Sequence, residues 1–436
     1  MTSPREIENY LQQILPALGV NKQRELVRLL YELCKRDGQN PSCFLPAEKN
    51  LTFERAKKIL LQKRYPLSFG KVPKSAFYLP KLELDPAQEA DLTPKPFSPK
   101  MLYIEQAVAQ TPLAQRAQAK FPQAQVEILT EKRWVGSPHF SRRTGTLLIY
   151  QEKYDFLKPC PCSQGNAGCG YNLVNLGFGC CFECEYCFLQ QYQNLHAILL
   201  PANVDEFLQR IDKGTFRRGP FGRPRIGSGE FTDSLVFDDL TQYSQQIVPF
   251  FRQRPHLQFE FKTKSTRIDG LLQAGGAENV VVSWSVNADK ITQETEHSTA
   301  TLPQRLAAAQ EVARAGYRVG FHFDPVVLFD GWQEAYRQTA EQIAAAVPLQ
   351  QVAWISVGVL RFSRELKKAV ETRFPQSHLL DGEFLLDFDG KMRYSASQRV
   401  EVYRFMLPLL RRLFPYTHVY ICMEDPQITT ACTSIG

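Results

Sequence analysis

The chain has 436 residues, 44% of them hydrophobic, and a formal net charge of +7. That length holds two or three domains with sizeable cores. No apolar run reaches the roughly 18 residues of a membrane-spanning helix, and the polar start MTSPREIENY lacks a secretory signal's apolar stretch, so no membrane contact and a cytoplasmic location are expected.

The charge is uneven: residues 1–75 carry 14 Lys+Arg against 7 Asp+Glu, and the other 361 residues carry 38 of each. A basic segment on a neutral body suits nucleic acid, and it suits a solvated helical surface equally. In that segment Ser3, Pro4 and Glu6 form a helix start with a capping box. Ile7, Tyr10, Leu11, Ile14, Leu15 and Leu18 then make one apolar stripe. KQRELVRLLYELCKR and TFERAKKILLQKR read as two more helices, which defines a basic helical module over residues 1–70. Residues 71–99 hold Pro80, Pro86, Pro94, Pro96 and Pro99 and read as an extended linker. A mixed α/β part follows over 100–158.

From residue 159 to the end strands and helices alternate. YNLVNLGFG, PRIGSGE, LQFEFKTK, NVVVSWSVN, YRVGFHFDPV and QVAWISVGVL are expected strands separated by helical segments. Six such units imply parallel strands joined by crossovers, hence a partial (β/α)6 TIM-like barrel with its chemistry at the C-terminal strand ends. FLLDFDGKMRY reads as a β-hairpin turning at Asp389-Gly390.

Seven of the eleven cysteines lie between Cys160 and Cys187. In a long cytoplasmic chain such clustering points to metal ligation or catalysis rather than disulfides. Cys180, Cys184 and Cys187 fit C-x3-C-x2-C on the loop after the first barrel strand. Three thiolates from one loop can hold three irons of a [4Fe–4S] cluster and leave the fourth open. Zinc usually takes two C-x2-C pairs or cysteine with histidine, and no two separate such pairs exist here, because Cys181–Cys184 and Cys184–Cys187 share Cys184. Cys181 falls outside the spacing and reads as a packed thiol. Upstream, Cys160, Cys162 and Cys169 sit in a Gly-rich loop; they are candidates for a second metal site, with Cys181 as a fourth ligand, or are simply free thiols.

This motif, with Tyr186 before its last cysteine, resembles the radical S-adenosylmethionine (SAM) superfamily. The resemblance implies SAM held at the open iron and cleaved to a 5′-deoxyadenosyl radical, with Tyr186 beside the adenine. CCFECEYCFLQ is further similar to the signature of the spore photoproduct lyase family. EFKTKSTRIDGLL, SWSVN, EHSTATLPQRLAAAQEVARAGYRVGF, LRFSRELKKAVETRFP and DGKMRY have family-like counterparts in the same order, over about residues 100–425. That family implies repair of a thymine lesion in DNA, a hairpin that helps hold the DNA, and an electron donor such as flavodoxin or ferredoxin.

Two positions depart from the family. Glu230 stands where the lyase's hydrogen-donating cysteine is expected, and Phe188 where its relay tyrosine is. Neither carries a hydrogen that can be donated by that route, so the catalytic residues are left open, with Cys422 as a substitute thiol. Glu230 also has a positive reading, because GSGE resembles the superfamily's Gly-Gly-Glu segment that holds the SAM amino group. Ser228 and Gly229 accompany it, Lys264 is a candidate for the SAM carboxylate, and Ser285 and Asn287 are candidates for the ribose. His297 and Arg305 read as helix-start structure, whereas His322 and Asp324 close another strand and read equally as facing the reaction chamber or as satisfied strand-end polar residues. The expected function is a radical SAM enzyme acting on nucleic acid, in lesion repair or base modification. The alternatives are a radical SAM enzyme acting on a peptide or small molecule, and a non-catalytic iron–sulfur protein that binds nucleic acid.

Overall fold

The computed structural model describes residues 2–70, 88–130, 135–136, 140–153, 157–160, 170–192, 196–216, 222–387 and 389–433. The expected linker lies largely outside the described residues. So do Cys162 and Cys169 of the upstream cysteine group. The chain divides into two compact units, one of Met1–Glu89 with Arg361–Ser395, the other of Ala90–Leu360 with Ala396–Gly436.

In the first unit the N-terminal helices are α1 (Pro4–Ile14), α2 (Val20–Asp37), α3 (Pro41–Phe44) and α4 (Phe53–Arg64). Ser3 and Glu6 form the expected capping box at α1, and Gly38 ends α2 in the left-handed conformation at φ 66°. Ile7, Leu11, Leu26, Leu30, Leu33 and Leu60 make a fully buried local core. The 1–70 segment does not stand by itself, because Arg361–Ser395 shares its unit. The link is a buried ion network. Glu32 accepts from Arg28 Nε at 2.9 Å, Arg64 Nε at 2.6 Å and Lys367 Nζ at 3.2 Å. Arg28 also reaches Glu371 at 2.7 Å, and Lys35 reaches Asp381 at 3.3 Å. Glu383 accepts from the Leu67 and Ser68 amides and the Ser68 hydroxyl.

The second unit contains two sheets. One is parallel, in the order β2 (Gln125–Leu129), β1 (Met101–Glu105), β3 (Thr146–Tyr150) and β7 (Ile198–Pro201). The other has eight strands. Its members in chain order are β4 (Leu157–Pro159), β5 (Tyr171–Val174), β8 (Arg225–Ser228), β9 (Gln258–Thr263), β10 (Val280–Ser285), β12 (Arg318–Val326), β13 (Val352–Val359) and β17 (His418–Ile421). They lie in the order β17-β13-β12-β10-β9-β8-β5-β4, all parallel except β4. All six expected strands are present, and β17 adds a seventh parallel one. VVVSWS of β10 and VAWISVGV of β13 are buried at every position, as parallel strands covered on both faces require. Two short strands, β6 (Glu183–Cys184) and β11 (Glu296–His297), pair with each other. In the first unit β14 (Arg361–Phe362), β15 (Leu385–Leu386) and β16 (Met392–Arg393) form a small antiparallel sheet, with β15 and β16 joined as the expected hairpin.

The large sheet curls into a partial barrel. Arg225 on β8 lies 3.4 Å from the Tyr420 hydroxyl on β17, although β9, β10, β12 and β13 separate the two strands. The same guanidinium lies over the Trp354 ring at 3.8 Å and approaches Glu260 at 3.3 Å. Glu260 also accepts from Trp354 Nε1 at 2.8 Å, from the Ser283 hydroxyl, and meets His322 Nε2 at 2.9 Å. Burial opposes its charge, but His322 and Arg225 prevail and hold the carboxyl well below the carboxylate range. His322 is thus a buried partner of Glu260, 5% exposed, with Ser356 Oγ at 2.6 Å from Nδ1.

Candidate active site

β5 delivers the cysteine loop at the C-terminal end of the large sheet, where β8, β9 and β10 also end. The loop is tied down along its length. Gly179 N donates to Phe231 O at 2.8 Å, with φ 86° at Gly179, a conformation that glycine adopts without strain. β6 pairs antiparallel with β11, with Cys184 opposite Glu296 and Glu183 opposite His297. Glu185 N donates to Thr295 O at 2.9 Å, and Glu185 Oε1 lies 2.9 Å from His297 Nε2. Beyond Cys184 the chain turns tightly. Cys187 N donates to Cys184 O at 3.1 Å, and the Gln190 amide side chain donates to the same carbonyl at 3.0 Å.

Charged groups brace the loop from outside, directly or through one another. Arg143 donates to Cys180 O and Phe182 O, both at 2.8 Å, and to Glu183 Oε1 at 2.7 Å. Arg305 is fully buried and donates to Glu296 Oε2 at 2.6 Å and Ser285 O at 2.8 Å. Glu296 in turn accepts from the Tyr186 hydroxyl. Burial works against the Glu296 charge, yet Arg305 and Lys264 outweigh it and lower its pKa. Lys264 follows β9 and places its ammonium 5.4 Å from the Tyr186 ring centroid. Burial raises the thiol pKa of Cys180, Cys184 and Cys187, and pushes Cys181 up to about 12.

Among the described residues no three histidine, cysteine or acidic groups converge on a point that would hold a single metal ion. A [4Fe–4S] cubane does not require such convergence, since each thiolate binds a different iron. Three thiols from one braced loop fit that donor set. Of the upstream cysteines only Cys160 is described: its N donates to Tyr171 O at the start of β5, whereas Cys181 follows the other end of that strand.

The GSGE segment is built tightly. A Cβ on Gly227 would lie 1.6 Å from the Tyr171 hydroxyl, so only glycine fits there. Ser228 is buried, with Ser234 Oγ at 2.5 Å and Glu260 O at 3.2 Å. Gly229 has φ 57° and donates to Val174 O at 2.7 Å. Glu230 forms a partly exposed ion pair with Lys158 at 2.8 Å. Asp233 anchors the following turn to the end of β9, accepting from Thr263 Oγ1 and Lys264 N, both at 2.7 Å. Phe188 is 37% exposed and joins Tyr192, Phe231 and Phe178 in an aromatic cluster beside Cys180 and Cys187.

Ser285 is buried beside Arg305. Asn287, the other residue expected at the ribose, is bonded within the protein. Its side chain is fully buried, donating to Pro325 O at 3.0 Å and accepting from the Tyr336 hydroxyl at 2.5 Å and Ala288 N at 3.1 Å. That is the bonding of an internal brace, with no polar atom at the surface. Cys422 continues β17 through its amide bond to Val357 O at 2.9 Å. Strand alternation puts it on the same face as Tyr420, toward the barrel interior. Arg143, Lys158 and Asp233 were invisible as site residues, because each acts through a partner remote in sequence or on a neighbouring turn.

A curled parallel sheet with a braced three-cysteine loop at its C-terminal edge defines a radical SAM enzyme. A family model described as spore photoproduct lyase matches residues 162–420. The chain belongs to the spore photoproduct lyase family. It is 30% identical over 304 residues to the spore photoproduct lyase of Bacillus subtilis (strain 168), covering 66% of this chain and 86% of that protein. It is 26% identical over 346 residues to that of Geobacillus sp. (strain Y412MC61), covering 74% and 98%. The fold matches a solved spore photoproduct lyase mutant with dinucleoside spore photoproduct, at TM-score 0.64 and 24% identity, over 75% of this chain and all of that one. It also matches a double mutant with bound AdoMet and dinucleoside spore photoproduct, at TM-score 0.64 and 24% identity, over 74% and 99%. No helix among the described residues is long and apolar enough to cross a membrane.

Proposed function

We propose that this chain cleaves SAM reductively at a [4Fe–4S] cluster held by Cys180, Cys184 and Cys187, and that it acts on a lesion or modified base in nucleic acid. The observation that carries the reading is the braced C-x3-C-x2-C loop at the C-terminal sheet edge, within a chain of this family. The cluster supplies the electron that generates the deoxyadenosyl radical. The chain's own residues hold and orient what binds beside it. Tyr186, fixed by Glu296, offers an aromatic face for the adenine. Lys264 offers a cation for the SAM carboxylate, and Glu230 with the Ser228–Gly229 turn faces the amino group. Ser285 contributes at the ribose end, with Asn287 supporting from within.

The substrate side is less like that of the named lyases. Glu230 is engaged by Lys158, and the exposed ring at 188 has no hydroxyl. These two features support a different hydrogen-return route and leave room for a nucleic acid substrate other than the spore photoproduct. A flavodoxin- or ferredoxin-type protein would deliver the electron.

Anaerobic reconstitution with iron and sulfide, then SAM and dithionite, tests the reading by following 5′-deoxyadenosine with and without lesion-bearing oligonucleotides. Deoxyadenosine that rises with oligonucleotide is expected. Intact cluster without SAM cleavage would overturn the enzyme assignment, and stimulation by peptides alone would overturn the substrate class.

A further inference from the structure

Arg143 lies on the 3-10 turn Phe140–Gly145 that leads into β3 of the four-stranded sheet, outside the 162–420 span that the family model matches. It is 1% exposed. Its Nε, Nη1 and Nη2 atoms reach three acceptors on Cys180, Phe182 and Glu183, so one rigid fork spans four consecutive residues of the loop. A buried guanidinium is costly unless its geometry is well satisfied, and an apolar side chain would fill the same volume at less cost. What an apolar residue could not do is grip two backbone carbonyls and place a fixed positive charge beside the thiols.

We propose that Arg143 is a positioning residue for the iron–sulfur site, fixing the Cys180–Glu183 backbone and favouring the reduced state of the cluster. A fixed cation near a redox centre stabilises the form with the extra electron. The inference rests on the reading that Cys180, Cys184 and Cys187 hold the cluster. Failure of the wild-type protein to take up iron would overturn that reading first, before any variant is compared.

The test compares wild type with Arg143→Met and Arg143→Lys. It measures iron per chain, the midpoint potential by electron paramagnetic resonance titration, and the alkylation rate of Cys180 in iron-free protein by mass spectrometry. Arg143→Met should move the potential to more negative values and speed Cys180 alkylation. Arg143→Lys should restore the potential while leaving alkylation fast, because an ammonium supplies charge without the planar fork. Arg143→Met with wild-type potential and wild-type alkylation at equal iron content would overturn the proposal. Should Arg143→Met not fold, Glu183→Gln serves instead, since it keeps both carbonyl contacts and removes the countercharge. A potential shifted to more positive values is then expected, and an unchanged potential refutes the electrostatic role.

Discussion

Replacing Glu32 with alanine tests whether the N-terminal helices and the Arg361–Ser395 segment are one folded unit. Glu32 is 5% exposed and serves Arg28, Arg64 and Lys367. Arg28 retains Glu371 at 2.7 Å after the change and Lys367 keeps the same carboxylate at 3.9 Å, so the loss falls chiefly on Arg64. Removing one partner of a buried ion pair costs about 3–5 kcal/mol, because the remaining charge stays desolvated. For a unit of roughly 120 residues this lowers Tm by about 10–20 °C. The sign of the pH dependence follows from Glu32 itself. Burial opposes its ionisation, but Lys367, Arg64 and Arg28 hold its pKa well below the ordinary value of 4.5. Its contribution is thus fully present above that value and is lost as pH falls through the lowered one. Urea melts at pH 7 and at acid pH, followed by circular dichroism and by limited proteolysis mapped by mass spectrometry, measure both effects. The wild-type advantage over Glu32→Ala should shrink in acid. A difference below about 1 kcal/mol at pH 7 would refute the network's role.

Gly227→Ala should destabilise the barrel by about 3 kcal/mol, read from denaturation midpoints, because its Cβ displaces Tyr171. Single alanine changes at Cys180, Cys184 and Cys187 should each abolish iron binding in reconstituted protein, whereas Cys181→Ala should keep it; the reverse pattern would reassign the ligands. The combined change Glu230→Cys and Phe188→Tyr should bring thymine release from a spore photoproduct oligonucleotide above the wild-type level, measured by liquid chromatography. No gain with unimpaired SAM cleavage would place the specificity elsewhere.

The barrel was legible because its strands are short apolar runs between amphipathic helices, and six of its parallel strands are local patterns. β17 escaped because HVYI follows a long helix and carries two polar-tipped residues; only its pairing with β13 makes it a strand. The cysteine motif was legible because its three cysteines lie on one loop. The braces were not, since Arg143 lies 37 residues before Cys180, and Tyr186 lies 110 residues before Glu296. The internal bonds of Asn287 were not legible, because a strand-end amide looks the same in sequence whether it meets a ligand or holds a neighbouring turn. The Arg28–Glu371 and Lys35–Asp381 pairs were out of reach likewise, since Glu371 and Asp381 lie more than 300 residues downstream.

That last feature imposes an order on biosynthesis. Arg28 must wait for Glu371, 343 residues later in the chain. At about 5–20 residues per second the interval is roughly 17–70 s on the ribosome. The helices can close around Ile7, Leu11, Leu26 and Leu30 at once, since those contacts are local. Their charged edge stays without Lys367 and Glu371 until most of the barrel has been made. The first unit begun is therefore among the last completed, and the cysteine loop emerges while the N-terminal helices still lack their final partners.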